Sequence, residues 1–141
     1  MMHFQLVSAQ GSKFDGDAYE VIIPTAGGDI AVFEDHMPLI SSARGGVVSV
    51  RVQPGDSDAQ MKHFAVNGGI MQVEGKTLRF LSDDVTASEE VNEKEAEAAL
   101  ARAEELVRGA GTQQEIAEAH RMLGRSRAHL QVAKMRRRHH N

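Results

Sequence analysis

Histidines and carboxylates are the groups here that could move a proton or hold a metal. His36 follows Asp35 and precedes Met37-Pro38, and an imidazole titrating near neutral pH could act there as an acid or base. No nucleophile stands nearby in sequence, so His36 is read as a loop-ordering or interface histidine, since loops carry binding residues. Asp83-Asp84 and Glu89-Glu90 are adjacent carboxylates. On linkers that lead into helices they serve solvation and the positive helix N-terminus. His120, His129, His139 and His140 could ligate a metal, but they lie toward a chain end without carboxylates, and a structural zinc site needs four fixed ligands. Gly68-Gly69 lacks the Gly-x-x-x-x-Gly-Lys-Ser/Thr pattern of a phosphate loop and reads as a tight hairpin or bulge. Cysteine is absent, which removes thiol catalysis and disulfides. No catalytic set, cofactor or metal is expected.

Charge is the second feature with chemical meaning. The net charge is -4. Residues 1–90 hold 6 Lys/Arg against 13 Asp/Glu, a balance of -7, whereas residues 91–141 hold 10 against 7, a balance of +3. After Glu118 no acidic residue occurs, while Arg121, Arg125, Arg127, Lys134 and Arg136-Arg137-Arg138 follow. Such a run coats a solvated helix face or meets an acidic surface. Nucleic acid fits less well, because no aromatic is interleaved and no reading motif is present. Membrane-surface binding wants a larger apolar face, so an acidic protein is the better partner.

These residues must be positioned by two kinds of element. Up to about residue 85, apolar residues alternate: Phe4 and Leu6, Val21 and Ile23, Ile30 and Val32, Val48 and Val50, Phe64 and Val66, Leu78 and Phe80. Period-2 spacing predicts strands with one buried face. Turns such as Asp15-Gly16-Asp17 and Gln53-Pro54-Gly55-Asp56 separate them, as in a small sandwich or flattened barrel. After Asp84 the period becomes helical, with Ala96, Ala99, Leu100, Ala103 and Leu106-Val107, then Ile116, Ala119, Leu123, Leu130 and Ala133. Asn92 with Glu95, and Thr112 with Glu115, mark two helix starts, and Gly109 and Gly111 the turn between them. The fold class is therefore α+β: an antiparallel β sandwich over residues 1–86, then an antiparallel two-helix hairpin over residues 87–141. An Ala-rich pair of helices buries little area and needs another surface to pack on. Apolar runs such as Ile30-Ala31-Val32-Phe33 are far shorter than the roughly 20 residues of a membrane helix. The first residues lack the pattern of a signal peptide, so cytoplasmic synthesis is expected.

Five segments together, Pro24 through Val32, His36-Met37-Pro38-Leu39, Gly45-Gly46-Val47-Val48, Phe64-Ala65-Val66-Asn67-Gly68-Gly69 and Leu81-Ser82-Asp83-Asp84, resemble the epsilon subunit of F-type ATP synthases. The resemblance covers nearly the whole chain. It implies a non-catalytic subunit with a sandwich of about ten strands, bound to the gamma subunit and the c-subunit ring and rotating with them while alpha and beta subunits make ATP. It also implies a peripheral place on the cytoplasmic face of the cell inner membrane. By position, Asp29, Glu34 and His36 would be interface residues toward gamma and the c ring. In an extended hairpin, Arg121, Arg125, Arg127 and Lys134 would meet acidic beta-subunit helices and block ATP hydrolysis. Members that bind ATP carry Ile/Leu-Asp-x-x-Arg-Ala at the first helix. Here Val91-Asn92-Glu93-Lys94-Glu95-Ala96 has Asn for Asp and Glu for Arg, so no specific ATP site is expected. The rival reading is a free-standing regulatory or nucleic-acid-binding module using the basic helix.

Overall fold

The computed structural model describes residues 1–140, with side chains through Arg136. Eight strands come first: β1 (Met2–Ser8), β2 (Gly11–Ala18), β3 (Glu20–Thr25), β4 (Gly28–Phe33), β5 (Leu39–Arg51), β6 (Lys62–Glu74), β7 (Thr77–Ser82) and β8 (Val85–Ala87). Helices α1 (Glu93–Gly109) and α2 (Gln113–His140) follow. The strands lie in the order β2-β1-β7-β6-β5-β3-β4, with β8 also on β6. Every pair is antiparallel except β1 with β7, which run parallel from His3↔Thr77 to Ser8↔Ser82.

This single sheet closes on itself. Phe4 and Leu6 of β1, Val21 and Ile23 of β3, and Phe80 of β7 all enter one buried cluster, which requires the two ends of the strand order to face each other as layers. Aromatic packing joins them, with Phe14 5.6 Å from Phe4 and 6.3 Å from Phe64 between ring centroids. The closure happens in β5 and β6, which are 13 residues each. Their pairing passes from Ala43↔Gly69 to Gly45↔Asn67 across the bend. Gly68 has φ +84°, and a Cβ at Gly69 would lie 2.2 Å from the Leu81 carbonyl oxygen. Only glycine permits this fold of the backbone. Because each long strand serves both layers, the sandwich has eight strands and not about ten.

The helix starts form as their sequence predicts. The Asn92 side chain accepts from Glu95 N–H at 3.0 Å and Thr112 Oγ1 from Glu115 N–H at 3.1 Å, each satisfying an orphan first-turn donor. The hairpin lies against one outer face of the sandwich. Ala128, Leu130, Val132 and Ala133 of α2 pack between Val91, Ala96 and Leu100 on one side and Val47 of β5 and Ala65 of β6 on the other. Arg125 pairs with Asp84 beside the bend, and Arg136 donates to the Ser88 carbonyl toward the opposite end. The helix direction follows from those two contacts. Residues of α2 before Arg125 therefore run on toward and past the bend, beside α1. Leu106 and Ile116, expected on the packed face, are exposed there, because two helices without a third layer leave one side in water.

Candidate interaction surfaces

Strand alternation places the interface residues expected from sequence, and it separates them. Asp29 is the second residue of β4, on the bend side and exposed, with Arg44 Nη2 3.1 Å from its Oδ1. Arg44 Nε also donates to the Thr25 carbonyl at 3.0 Å, which ties the β3–β4 turn to β5. Glu34 follows the other end of β4. Five strand steps of about 3.3 Å put it roughly 17 Å from Asp29. There it forms an ion pair with the N-terminal ammonium at 3.4 Å and lies 3.9 Å from Lys76 Nζ. His36 is in the same loop, its Nδ1 2.8 Å from the Met37 carbonyl. A carbonyl only accepts, so that contact calls for the Nδ1–H tautomer. Asp35 beside it has φ +67°. Glu34 and His36 thus share one end of the sandwich, and Asp29 stands at the other.

A further surface lies on the sheet and was missed in the sequence reading. Ile70 pairs across to Leu81 on β7, and Ile40 stands diagonally from it on β5. All three face water, at 72% exposure for Ile40, 55% for Ile70 and 52% for Leu81. Their neighbours Met71 and Phe80 are fully buried on the inner side. Period-2 counting located the buried partners but passed over large apolar residues on the polar side. Contiguous exposed aliphatic side chains on a sheet face mark an interaction surface.

The clasp between hairpin and sandwich is the third site. Of the basic residues on α2, Arg121, Arg127 and Lys134 are exposed, while Arg125 is engaged with Asp84. Asp84 therefore holds a helix and does more than solvate a linker. His129 stands one turn beyond Arg125, half-buried, in a cleft of about 550 Å³ shared by α1, α2 and the strand β8 region, lined by Thr86, Glu90, Glu95, Arg102 and Ser126. Burial pushes its imidazole below the ordinary range; the Arg125 charge adds to this and Asp84 opposes it. Beneath α2, His63 is 5% exposed, and its Nδ1 is 2.8 Å from Ser49 Oγ on the neighbouring strand. Among the described residues, no group of three or more His, Cys, Asp or Glu could hold a metal ion, and the side chains of Arg137, Arg138, His139 and His140 lie outside them. No described helix is long and apolar enough to cross a membrane. Asn92 is occupied in capping α1.

Residues 1–103 match the family described as ATP synthase, Delta/Epsilon chain, beta-sandwich domain. The ATP synthase epsilon chain of Laribacter hongkongensis is 32% identical over 131 residues, spanning 93% of this chain and 91% of that protein. That of Bordetella avium is 34% identical over 117 residues, spanning 82% and 79%. A chain in the Euglena gracilis mitochondrial ATP synthase, in a structure of OSCP, F1 and c-ring, superposes with a TM-score of 0.79 at 15% identity, covering 94% of this chain and 81% of that one. A likeness at that identity speaks for the fold alone.

Proposed function

This chain belongs to the ATP synthase delta/epsilon family, and from that premise we propose how its two parts divide the work of the central stalk. As an epsilon chain it is a non-catalytic subunit of the synthase. Its relatives give a free-standing nucleic-acid-binding module no support. In the proposed arrangement residues 1–86 bind the gamma subunit and the c ring, and residues 87–141 regulate. The observation that carries the coupling role is the uncovered apolar row Ile40, Ile70 and Leu81 on a glycine-bent sandwich whose other outer face is occupied by the hairpin. A rigid body with one apolar face open can be clamped by a partner over a broad area, which torque transmission requires. Asp29 with Arg44 at one end, and Glu34 with His36 at the other, add polar contacts that fix orientation. Two separated ends suit two partners, the c-ring loops at one and gamma at the other. The subunit is peripheral, held at the cytoplasmic face of the inner membrane through the complex.

The hairpin serves as an inhibitory element when it leaves the sandwich. Undocking releases Arg125 to join Arg121, Arg127 and Lys134 on a helix that carries no acidic residue after Glu118. That helix would then meet acidic helices of the beta subunits. ATP hydrolysis by the purified catalytic head tests this, with the full chain and with a version ending at Val91. Faster hydrolysis with the shorter version, assembly being kept, is the expected result. Equal rates would leave the hairpin a structural role, and failure of both versions to bind gamma would defeat the coupling reading.

A further inference from the structure

His129 lines a stretch of the docking interface where α2 meets α1, the β8 region and its own clasp residue together. Charged groups face it from each side: Arg125 from α2, Asp84 from the strand end before β8, Glu90 from the turn after β8, and Glu95 and Arg102 from α1. His63 lies two residues before Ala65 on β6, and strand alternation puts both on the outer face that α2 packs on. Glu90 and Glu95 are exposed, so water screens their pull on the imidazole. Asp84 already accepts from Arg125. A second cation beside that pair would compete for one carboxylate in a half-buried cleft, and a buried charge without its own partner is costly.

We propose that His129 makes hairpin docking pH-dependent: the neutral imidazole fits the docked state, and protonation drives α2 off the sandwich. The inference rests on the docked geometry and not on any role of the hairpin in inhibition. In the undocked chain His129 is exposed and titrates near the ordinary value of about 6.5. In the docked state it titrates lower. Docking is therefore fully favoured above about pH 6.5 and weakens as pH falls below it. The docked-to-undocked ratio drops by up to about tenfold per pH unit for one proton, levelling off below the docked-state value.

The absence of cysteine makes a direct readout simple. Cysteines at exposed Gln53 and Gln131 carry a donor and acceptor dye on the full chain, and energy transfer is followed from pH 8 to pH 5.5. Far-UV circular dichroism in the same samples excludes global unfolding. Transfer should fall with acid in the parent, stay flat in His129→Gln, and be low already at pH 8 in His129→Lys. A parent that shows no change overturns the proposal. So does His129→Lys docked at pH 8. A transition that survives in His129→Gln and disappears in His63→Gln would move the sensor to the sandwich and equally overturn it.

Discussion

The sandwich and the hairpin are built from different materials. The sandwich buries Phe4, Leu6, Ile23, Met71, Leu78 and Phe80 completely, whereas the hairpin's buried cluster is mainly Ala and Val, with Leu130 as its largest fully counted member. A buried Leu or Phe stabilises by about 1.5–3 kcal/mol, an Ala by much less. The sandwich also closes its backbone hydrogen bonds across eight strands. Among the described residues, the hairpin is joined to it by an apolar strip and by the contacts of Arg125 and Arg136. The contrast sets a body with a large apolar core against an attachment that rests on a smaller one.

Substitutions can break that contrast in graded steps. Gly69→Ala should do most, at about 4 kcal/mol or more, because its Cβ would meet the Leu81 backbone oxygen at 2.2 Å. Denaturant unfolding should show the loss, and a stable Gly69→Ala protein would mean the bend is not rigid. Phe80→Ala should cost about 3–5 kcal/mol and lower the midpoint of the whole sandwich. Val132→Asp places a charge against β5 and β6, at about 2–3 kcal/mol of docking. It should expose α2 amides to fast hydrogen exchange while the strand amides keep their protection. Joint loss of both would show a single cooperative unit. Asn92→Ala should cost about 1 kcal/mol, confined to α1 and seen as fraying of its first turn by exchange. Asp84→Asn should be the smallest, within about 1 kcal/mol of docking and fading with added salt, since Arg125 is half exposed.

The strand pattern was legible because one buried face leaves a period of two in the sequence. Phe4 with Leu6, Val21 with Ile23, and Leu78 with Phe80 all lie inside as counted. Strand number was not legible, since β5 and β6 pass through a bend with no break in their pairing partners other than at the glycines. Helix caps at Asn92 and Thr112 were readable for a local reason: donor and acceptor are three residues apart. Partners at long range were not. Arg44 with Asp29, and Arg125 with Asp84, are separated by 15 and 41 residues, and charge alone does not choose among many opposite charges. Ala128 and Val132 are absent from the helical count, although both are buried. Asp29, Glu34 and His36 formed a plausible group in sequence, yet a strand carries its ends apart.

The parallel pairing of β1 with β7 has a kinetic consequence. Gln5 and Arg79, joined at 3.0 Å, are 74 residues apart. Before Ser82 has left the ribosome, β1 has only β2 beside it in the sheet. Loop closure over such a length is entropically unfavourable, and non-local pairings of this kind place a domain among slow folders, on the millisecond-to-second scale. Stopped-flow refolding should show the sandwich closing in that range, with the hairpin helices forming earlier but settling only onto a finished surface. The seventh strand completes the first, so this subunit is committed to its shape late, after more than half of its chain already exists.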